Sequence, residues 1–291
     1  MQNLANSGTI RQLLEEAGFS FKKSLGQNFL VNPTVCPRMA QAACSTLSPI
    51  SKKGILEIGP GIGVLTTELA RTADKVVAVE LDERLKPVLS KTLADYPHAS
   101  VIFADAMKLD LTRIIQEEFS DMEVAVCANL PYYITSPLLM RLLESRLPVR
   151  SITVMVQKEA ALRLCARPGS REAGAITAAV AYYARPQILF TVSPGSFMPP
   201  PKVESAVMQL DIRDCPPVQV RNEKAFFALI RSAFAQRRKT LVNSVSATMA
   251  GVEKERLLQA LEQLGIPPSV RAEGMTLEQF AALSNLLESK E

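Results

Sequence analysis

The sequence predicts an α/β fold built on a parallel sheet, followed by a small all-helical domain. Three observations predict it. Five short apolar runs alternate with helical patterns, a glycine-rich turn directly follows the first of those runs, and the periodicity becomes purely helical beyond residue 214.

Taken in order, Thr9 and Gln12 have the spacing of a capping box and open a short helix that Gly18 is suited to end. The basic pair Lys22-Lys23 leads into Ser24-Leu25-Gly26-Gln27-Asn28-Phe29-Leu30, a loop that mixes amide, glycine and aromatic side chains. Ile55 to Ile58, Val76 to Val79, Val101 to Phe103, Val124 to Cys127 and Ile152 to Val156 read as buried strands with helices between them, a βαβ series. Before one of these helices Ser136 is placed to cap and Pro137 to take the first helical position, and Leu138, Leu139, Leu142 and Leu143 form its core stripe. Gln187 to Val192 and Val203 to Ile212 are strand-like around Phe197-Met198-Pro199-Pro200-Pro201, a pair at the end of the sheet with one strand antiparallel. The turn Asp214-Cys215-Pro216-Pro217 divides the chain into residues 1–213 and 214–291. Three helical faces follow: Phe226, Phe227, Ile230 and Phe234; Leu257, Leu258, Leu261 and Leu264; and, after the Thr276-x-x-Gln279 capping box, Leu277, Phe280, Leu283 and Leu287.

Composition excludes several classes of function. A hydrophobic share of 47% with 21% charged residues is that of an ordinary globular chain, and 291 residues suit one large and one smaller domain. Cys36, Cys44, Cys127, Cys165 and Cys215 are scattered without a Cys-x-x-Cys pair, which points to a reducing compartment and to no zinc site. With neither a signal-peptide pattern nor a membrane-length apolar run, the expectation is a cytoplasmic protein; a monomer without a metal is the accompanying expectation, and nothing in the sequence decides the oligomeric state. His98 is the only histidine and falls in a loop, which disfavours mechanisms that need several. The net charge of +4 is uneven: residues 1 to 53 hold six Lys or Arg against two Glu. Lys22, Lys23 and the later Arg237-Arg238-Lys239 suit phosphate contact, and ordinary solvated charge is the alternative.

The turn Glu57-Ile58-Gly59-Pro60-Gly61-Ile62-Gly63 lies between a strand and a helix, where glycines let backbone approach a ligand over the helix start. Its third glycine comes one position earlier than in dinucleotide-binding turns, and an acidic residue precedes the first. Both features favour S-adenosyl-L-methionine over NAD. Glu80 ends the second strand, where a carboxylate can accept from two ribose hydroxyls, and Asp105 follows the third, placed for the cofactor's adenine amine. With Glu57 they make three carboxylates at successive strand ends, on the edge where open α/β sheets bind ligands.

After the fourth strand comes Asn129-Leu130-Pro131-Tyr132. An adenine amine is a weak nucleophile because its lone pair is delocalised into the ring. Hydrogen bonds from it to the Asn129 side-chain oxygen and the Leu130 carbonyl would draw the nitrogen toward tetrahedral geometry. Pro131 holds Leu130 extended, which fixes that carbonyl, and Tyr132 offers a stacking face. No strong base is required, since the attacking nitrogen is neutral and its proton leaves after transfer; alignment supplies the rate.

Together these segments resemble the KsgA (RsmA) family of ribosomal RNA adenine dimethyltransferases, relatives of the Erm resistance methyltransferases. The resemblance spans nearly the whole chain: Leu25 to Leu30, Glu57 to Gly63, Asn129 to Pro137, Val156-Gln157-Lys158-Glu159, Phe197 to Val203, and Gln236-Arg237-Arg238-Lys239-Thr240. It implies a Rossmann-like methyltransferase sheet and dimethylation of two adjacent adenosines in the 3′-terminal helix loop of 16S ribosomal RNA, within the small ribosomal subunit or its precursor. It also implies that Asn28 and Leu30 close over the cofactor, Gly59 and Gly61 approach its methionine part, Glu80 and Asp105 hold its adenosine, and Asn129 contacts both cofactor and target. Phe197 resembles a second stacking wall opposite Tyr132, with a loop-anchoring aromatic as the alternative. Where many family members have Lys-x-Tyr-Gly, this chain has Arg171-Glu172-Ala173-Gly174. DNA-adenine and protein-amide methyltransferases share a similar tetrapeptide, typically with Pro-Pro-Tyr, and a non-catalytic assembly factor on the same fold is a third reading. Leu130 before Pro131 and the helical C-terminal domain favour the ribosomal RNA branch.

Overall fold

A computed structural model describes residues 7–16 and 28–288. Lys22, Lys23 and the Leu25-Gly26-Gln27 segment lie outside the described residues, as does Gly18.

The elements are α1 (Ser7–Glu16), β1 (Phe29–Leu30), α2 (Val35–Ser45), β2 (Lys52–Ile58), α3 (Val64–Ala70), β3 (Lys75–Glu80), α4 (Lys86–Thr92), β4 (Ala99–Phe103), α5 (Leu111–Glu118), β5 (Met122–Asn129), α6 (Thr135–Glu144) and β6 (Ser151–Gln157). They continue as α7 (Lys158–Leu164), α8 (Ala175–Tyr183), β7 (Ala184–Val192), β8 (Phe197–Met198), β9 (Ser205–Ile212), α9 (Glu223–Phe234), α10 (Leu241–Thr248), α11 (Lys254–Gln263) and α12 (Leu277–Glu288). Seven strands form one sheet in the order β4-β3-β2-β5-β6-β9-β7. The pairs β4-β3, β3-β2, β2-β5 and β5-β6 are parallel and β9 runs antiparallel to β6, so the expected reversal is present. The chain order reverses between β2 and β5, and the C-terminal ends of those strands are where an open α/β sheet receives a ligand.

The central strands are buried almost throughout, which is why they read as unbroken apolar runs. Ile55, Val76, Ala125, Cys127 and Met155 form part of one core with Met39 and Ala43 of α2 and Leu65 and Leu69 of α3. The stripe Leu138, Leu139, Leu142 and Leu143 of α6 is buried as expected. The helix begins at Thr135, however, so Ser136 and Pro137 sit inside its first turn rather than at its cap and first position. Likewise α1 begins at Ser7, two residues before Thr9.

The chain divides into two compact units, residues 1–161 with 187–212, and residues 162–186 with 213–291. Residues 162–186, which the sequence pattern places in the larger domain, group with the helical unit for a packing reason. Tyr182 and Tyr183 of α8 pack on Phe226 and Phe227 of α9, Tyr183 and Phe227 being stacked at 5.4 Å between centroids. Both tyrosine hydroxyls donate to the Glu223 carboxylate, at 3.2 and 2.7 Å. In the same unit the Thr276 and Gln279 capping box is formed in both directions, at 2.9 and 3.3 Å. Leu258, placed by periodicity on the core face of α11, is instead exposed.

Candidate active site

The loop that leaves β2 turns over the start of α3 through Gly59, Gly61 and Gly63, all at positive φ. The Gly61 amide donates to Glu80 Oε2 at 3.1 Å and the Asp82 amide donates to Oε1 at 2.8 Å, so the carboxylate that ends β3 is clamped against the glycine turn. Burial pushes the Glu80 pKa up, and those amide bonds oppose the shift. Asp105, after β4, accepts from the Met107 amide at 2.9 Å and keeps a half-exposed carboxylate, with Lys108 at 3.6 Å. Glu57 differs from both. It is fully buried at the end of β2, neither carboxylate oxygen has a hydrogen-bond partner, and burial raises its pKa to about 8, outweighing the neighbouring Thr66 hydroxyl. The Glu80 charge pushes in the same upward direction.

Above the glycine turn lies a small two-stranded ribbon where the sequence pattern suggests only loop. β1 pairs antiparallel with β8, Phe29 opposite Met198 and Leu30 opposite Phe197, and the Val31 amide continues it by donating to the Ser196 carbonyl at 2.8 Å. The Phe29 ring sits so close over Gly61 that a Cβ there would lie 3.1 Å from it. Phe197 and Leu30 are buried in this ribbon.

On the other flank β5 ends at Asn129. The Leu130 amide donates to the Met155 carbonyl of β6 at 3.2 Å, and Pro131 follows at φ −57° and ψ 131°, so the Leu130 peptide is fixed from both sides. Leu130's side chain is buried, which leaves its backbone as the part available to a substrate. The Tyr132 hydroxyl lies 2.7 Å from the buried Ser205 hydroxyl, which holds the ring in place.

One cavity of about 150 Å³ gathers these parts: Asn28, Leu30, Gly59, Gly61, Glu80, Asp105, Asn129, Leu130, Pro131, Tyr132 and Phe197 all line it. Every described residue expected at the cofactor and target sites is therefore in one place. Arg237, Arg238 and Lys239 are exposed in the turn between α9 and α10 of the other unit. Among the lining residues that sequence reasoning did not single out, three bear on the site. Leu81 and Tyr133 are exposed large apolar side chains at the cavity, and Phe29 seats on Gly61. For Leu81 and Phe29 the available signal was their adjacency to Glu80 and Asn28. Among the described residues there is no cluster of metal-ligating side chains, and no helix is long and apolar enough to cross a membrane.

An orphaned buried carboxyl, a glycine turn open toward the cavity and carboxylates at two further strand ends suit a cofactor with a cationic end and a ribose. This matches the comparisons with known proteins. The family described as ribosomal RNA adenine dimethylase matches residues 18–289. The chain belongs to that family. It is a ribosomal RNA adenine dimethyltransferase that uses S-adenosyl-L-methionine. It is 46% identical to ribosomal RNA small subunit methyltransferase A of Geobacillus sp. (strain WCH70), over 99% of this chain and 98% of that one. Identity is also 46% to the protein of the same name from Bacillus mycoides (strain KBAB4), over the same shares. Among solved structures, a dimethyladenosine transferase from Plasmodium falciparum superposes with a TM-score of 0.70 at 26% identity, covering 88% of this chain and 95% of that one. The 23S rRNA methyltransferase ErmE gives 0.66 at 26% identity, covering 90% and 100%. The dimethyltransferase fold is thus shared, and the sheet with its helical second unit is the architecture the sequence predicted.

Proposed function

We propose that this dimethyltransferase methylates N6 of two adjacent adenosines in the 3′-terminal helix loop of 16S ribosomal RNA, acting as a monomer on the small ribosomal subunit or its precursor. The observation that carries the reading is the convergence of the Asn129 to Tyr132 turn with the glycine turn and Glu80 on one cavity. Near-full-length identity to proteins named for the small ribosomal subunit supports the choice of subunit.

S-adenosyl-L-methionine supplies an electrophilic methyl group on a sulfonium. Glu80 accepts from the ribose hydroxyls, Asp105 from the adenine amine, and Gly59 and Gly61 leave room for the methionine end. Asn28 and Leu30, with the β1-β8 ribbon, exclude water from above. Asn129 and the Leu130 carbonyl orient the target amine, while Tyr132 and Phe197 hold the base by its faces. Because one hydrogen remains on the nitrogen after the first transfer, the second must proceed with a single hydrogen bond. Lys22, Lys23, Arg237, Arg238 and Lys239 contact phosphate.

A labelled-methyl assay on undermethylated small subunits, with large subunits and DNA as controls, tests the substrate. Dimethyladenosine in the small subunit alone is the expected product, and labelling confined to the large subunit would overturn the assignment. Asn129→Ala should lose most methyl transfer and still bind the subunit; full dimethylation at the normal rate by this variant would rule out the mechanism.

A further inference from the structure

Tyr133 is not used by the chemistry above. It follows Tyr132 in the single helical turn Tyr132–Ile134, lines the cavity, and is 57% exposed. The two tyrosines differ in how they are held. Tyr132 is tied to Ser205, whereas Tyr133 presents its ring to solvent at the rim. Leu81, 53% exposed, also lines the cavity, but it follows Glu80 on the cofactor flank, so Tyr133 is the exposed aromatic on the target flank.

A base inside the cavity remains joined through its phosphodiester to a neighbour that stays outside, one nucleotide from the mouth. We propose that Tyr133 is the stacking platform for the nucleobase next to the one being methylated. The proposal rests on the reading of the substrate as RNA adenine. Stacking suits the task because adjacent adenosines are modified in turn on a strand of fixed polarity: the base on a given side of the target is the partner adenosine in one round and a different nucleotide in the other. A pocket that recognised the hydrogen-bonding edge of one of these bases would reject the other. A ring face accepts both, since every base keeps its π surface.

The test uses the full-length enzyme and an RNA hairpin carrying 2-aminopurine beside the target adenosine. Binding to wild type should quench the fluorophore. Tyr133→Ala should remove the quench and raise KM for RNA roughly five- to a hundred-fold, while Tyr133→Phe and Tyr133→Trp keep both near wild type. Affinity for S-adenosyl-L-methionine, measured by calorimetry, should be unchanged in Tyr133→Ala, which separates the effect from misfolding. A wild-type quench and KM in Tyr133→Ala would overturn the proposal, as would an equal loss in Tyr133→Phe, because the hydroxyl rather than the ring face would then be responsible. Mass spectrometry of the wild-type product is read separately: no methyladenosine there would remove the substrate reading, and this proposal with it.

Discussion

At the scale of single residues, the three carboxylates at the strand ends are alike in sequence and unlike in state. Glu80 is an oriented acceptor, clamped by the Gly61 and Asp82 amides. Glu80→Ala should weaken S-adenosyl-L-methionine binding by about 1 to 3 kcal/mol because the charged acceptor is gone, and unchanged affinity by calorimetry in a folded variant would take Glu80 out of the site. Glu57 is buried without a partner, its pKa raised from 4.5 to about 8. Below the unfolded value both states hold the proton and there is no penalty. As pH rises through the interval up to the folded value, only the unfolded chain releases it, so stability falls by up to about 1.4 kcal/mol per pH unit and levels off above. The melting-temperature advantage of Glu57→Gln over wild type should therefore grow from pH 5 to pH 8 and flatten beyond. A difference independent of pH would show that Glu57 ionises normally. The acidic start of the glycine turn was legible in the sequence. Its raised pKa was not, because that depends on Cys36 of α2, Thr66 of α3 and Cys127 of β5 enclosing it, a product of tertiary packing.

Elements that announce themselves by periodicity were legible, and those that exist through a distant partner were not. The strands β2 to β6 and the Thr276 cap needed only local pattern. A two-residue strand such as β1 has no period to read, and it is a strand only because Phe197 and Met198 come alongside. Leu258 kept the helical spacing and still faces solvent, since periodicity marks a face and not its width. Within the glycine turn, position separates binding from folding. A Cβ at Gly59 would meet nothing within 4 Å, while one at Gly63 would lie 2.9 Å from the Thr92 hydroxyl. Both residues have positive φ, 73° and 90°, so alanine at either should cost about 1 to 2 kcal/mol of backbone strain. Gly63→Ala adds the clash with α4 and should show the larger fall in melting temperature. Gly59→Ala should show the larger fall in cofactor affinity, because its methyl projects into open space at the cavity. The reverse ranking would mean that the turn relaxes.

Over the whole molecule, charge is unequally shared. The unit comprising residues 162–186 and 213–291 holds fifteen Lys and Arg against ten Asp and Glu, a net of +5, whereas the whole chain carries +4. The sheet-bearing unit is therefore close to neutral, at −1. Electrostatic attraction for a polyanion is expected to come from the helical unit and from the basic stretch that holds Lys22 and Lys23, with chemistry in the sheet-bearing unit. Changing Arg237, Arg238 and Lys239 to Gln should weaken subunit binding and flatten its salt dependence, by roughly one unit of slope for each phosphate no longer neutralised. These cations also follow the C-terminus of α9, where positive charge favours a helix. An unchanged salt slope with a lower melting temperature would assign them that structural role instead.

The β1-β8 ribbon also sets a timetable for synthesis. Phe29 and Leu30 leave the ribosome early, yet their partners Phe197 and Met198 follow only after some two thirds of the chain has been made. Closing so long a loop is entropically slow and must wait for the sheet to bring its ends together. A nascent chain that already has its glycine turn, its carboxylates and Asn129 therefore still has an unroofed site. The enzyme becomes competent late in its own biogenesis, when the two strands of that ribbon meet.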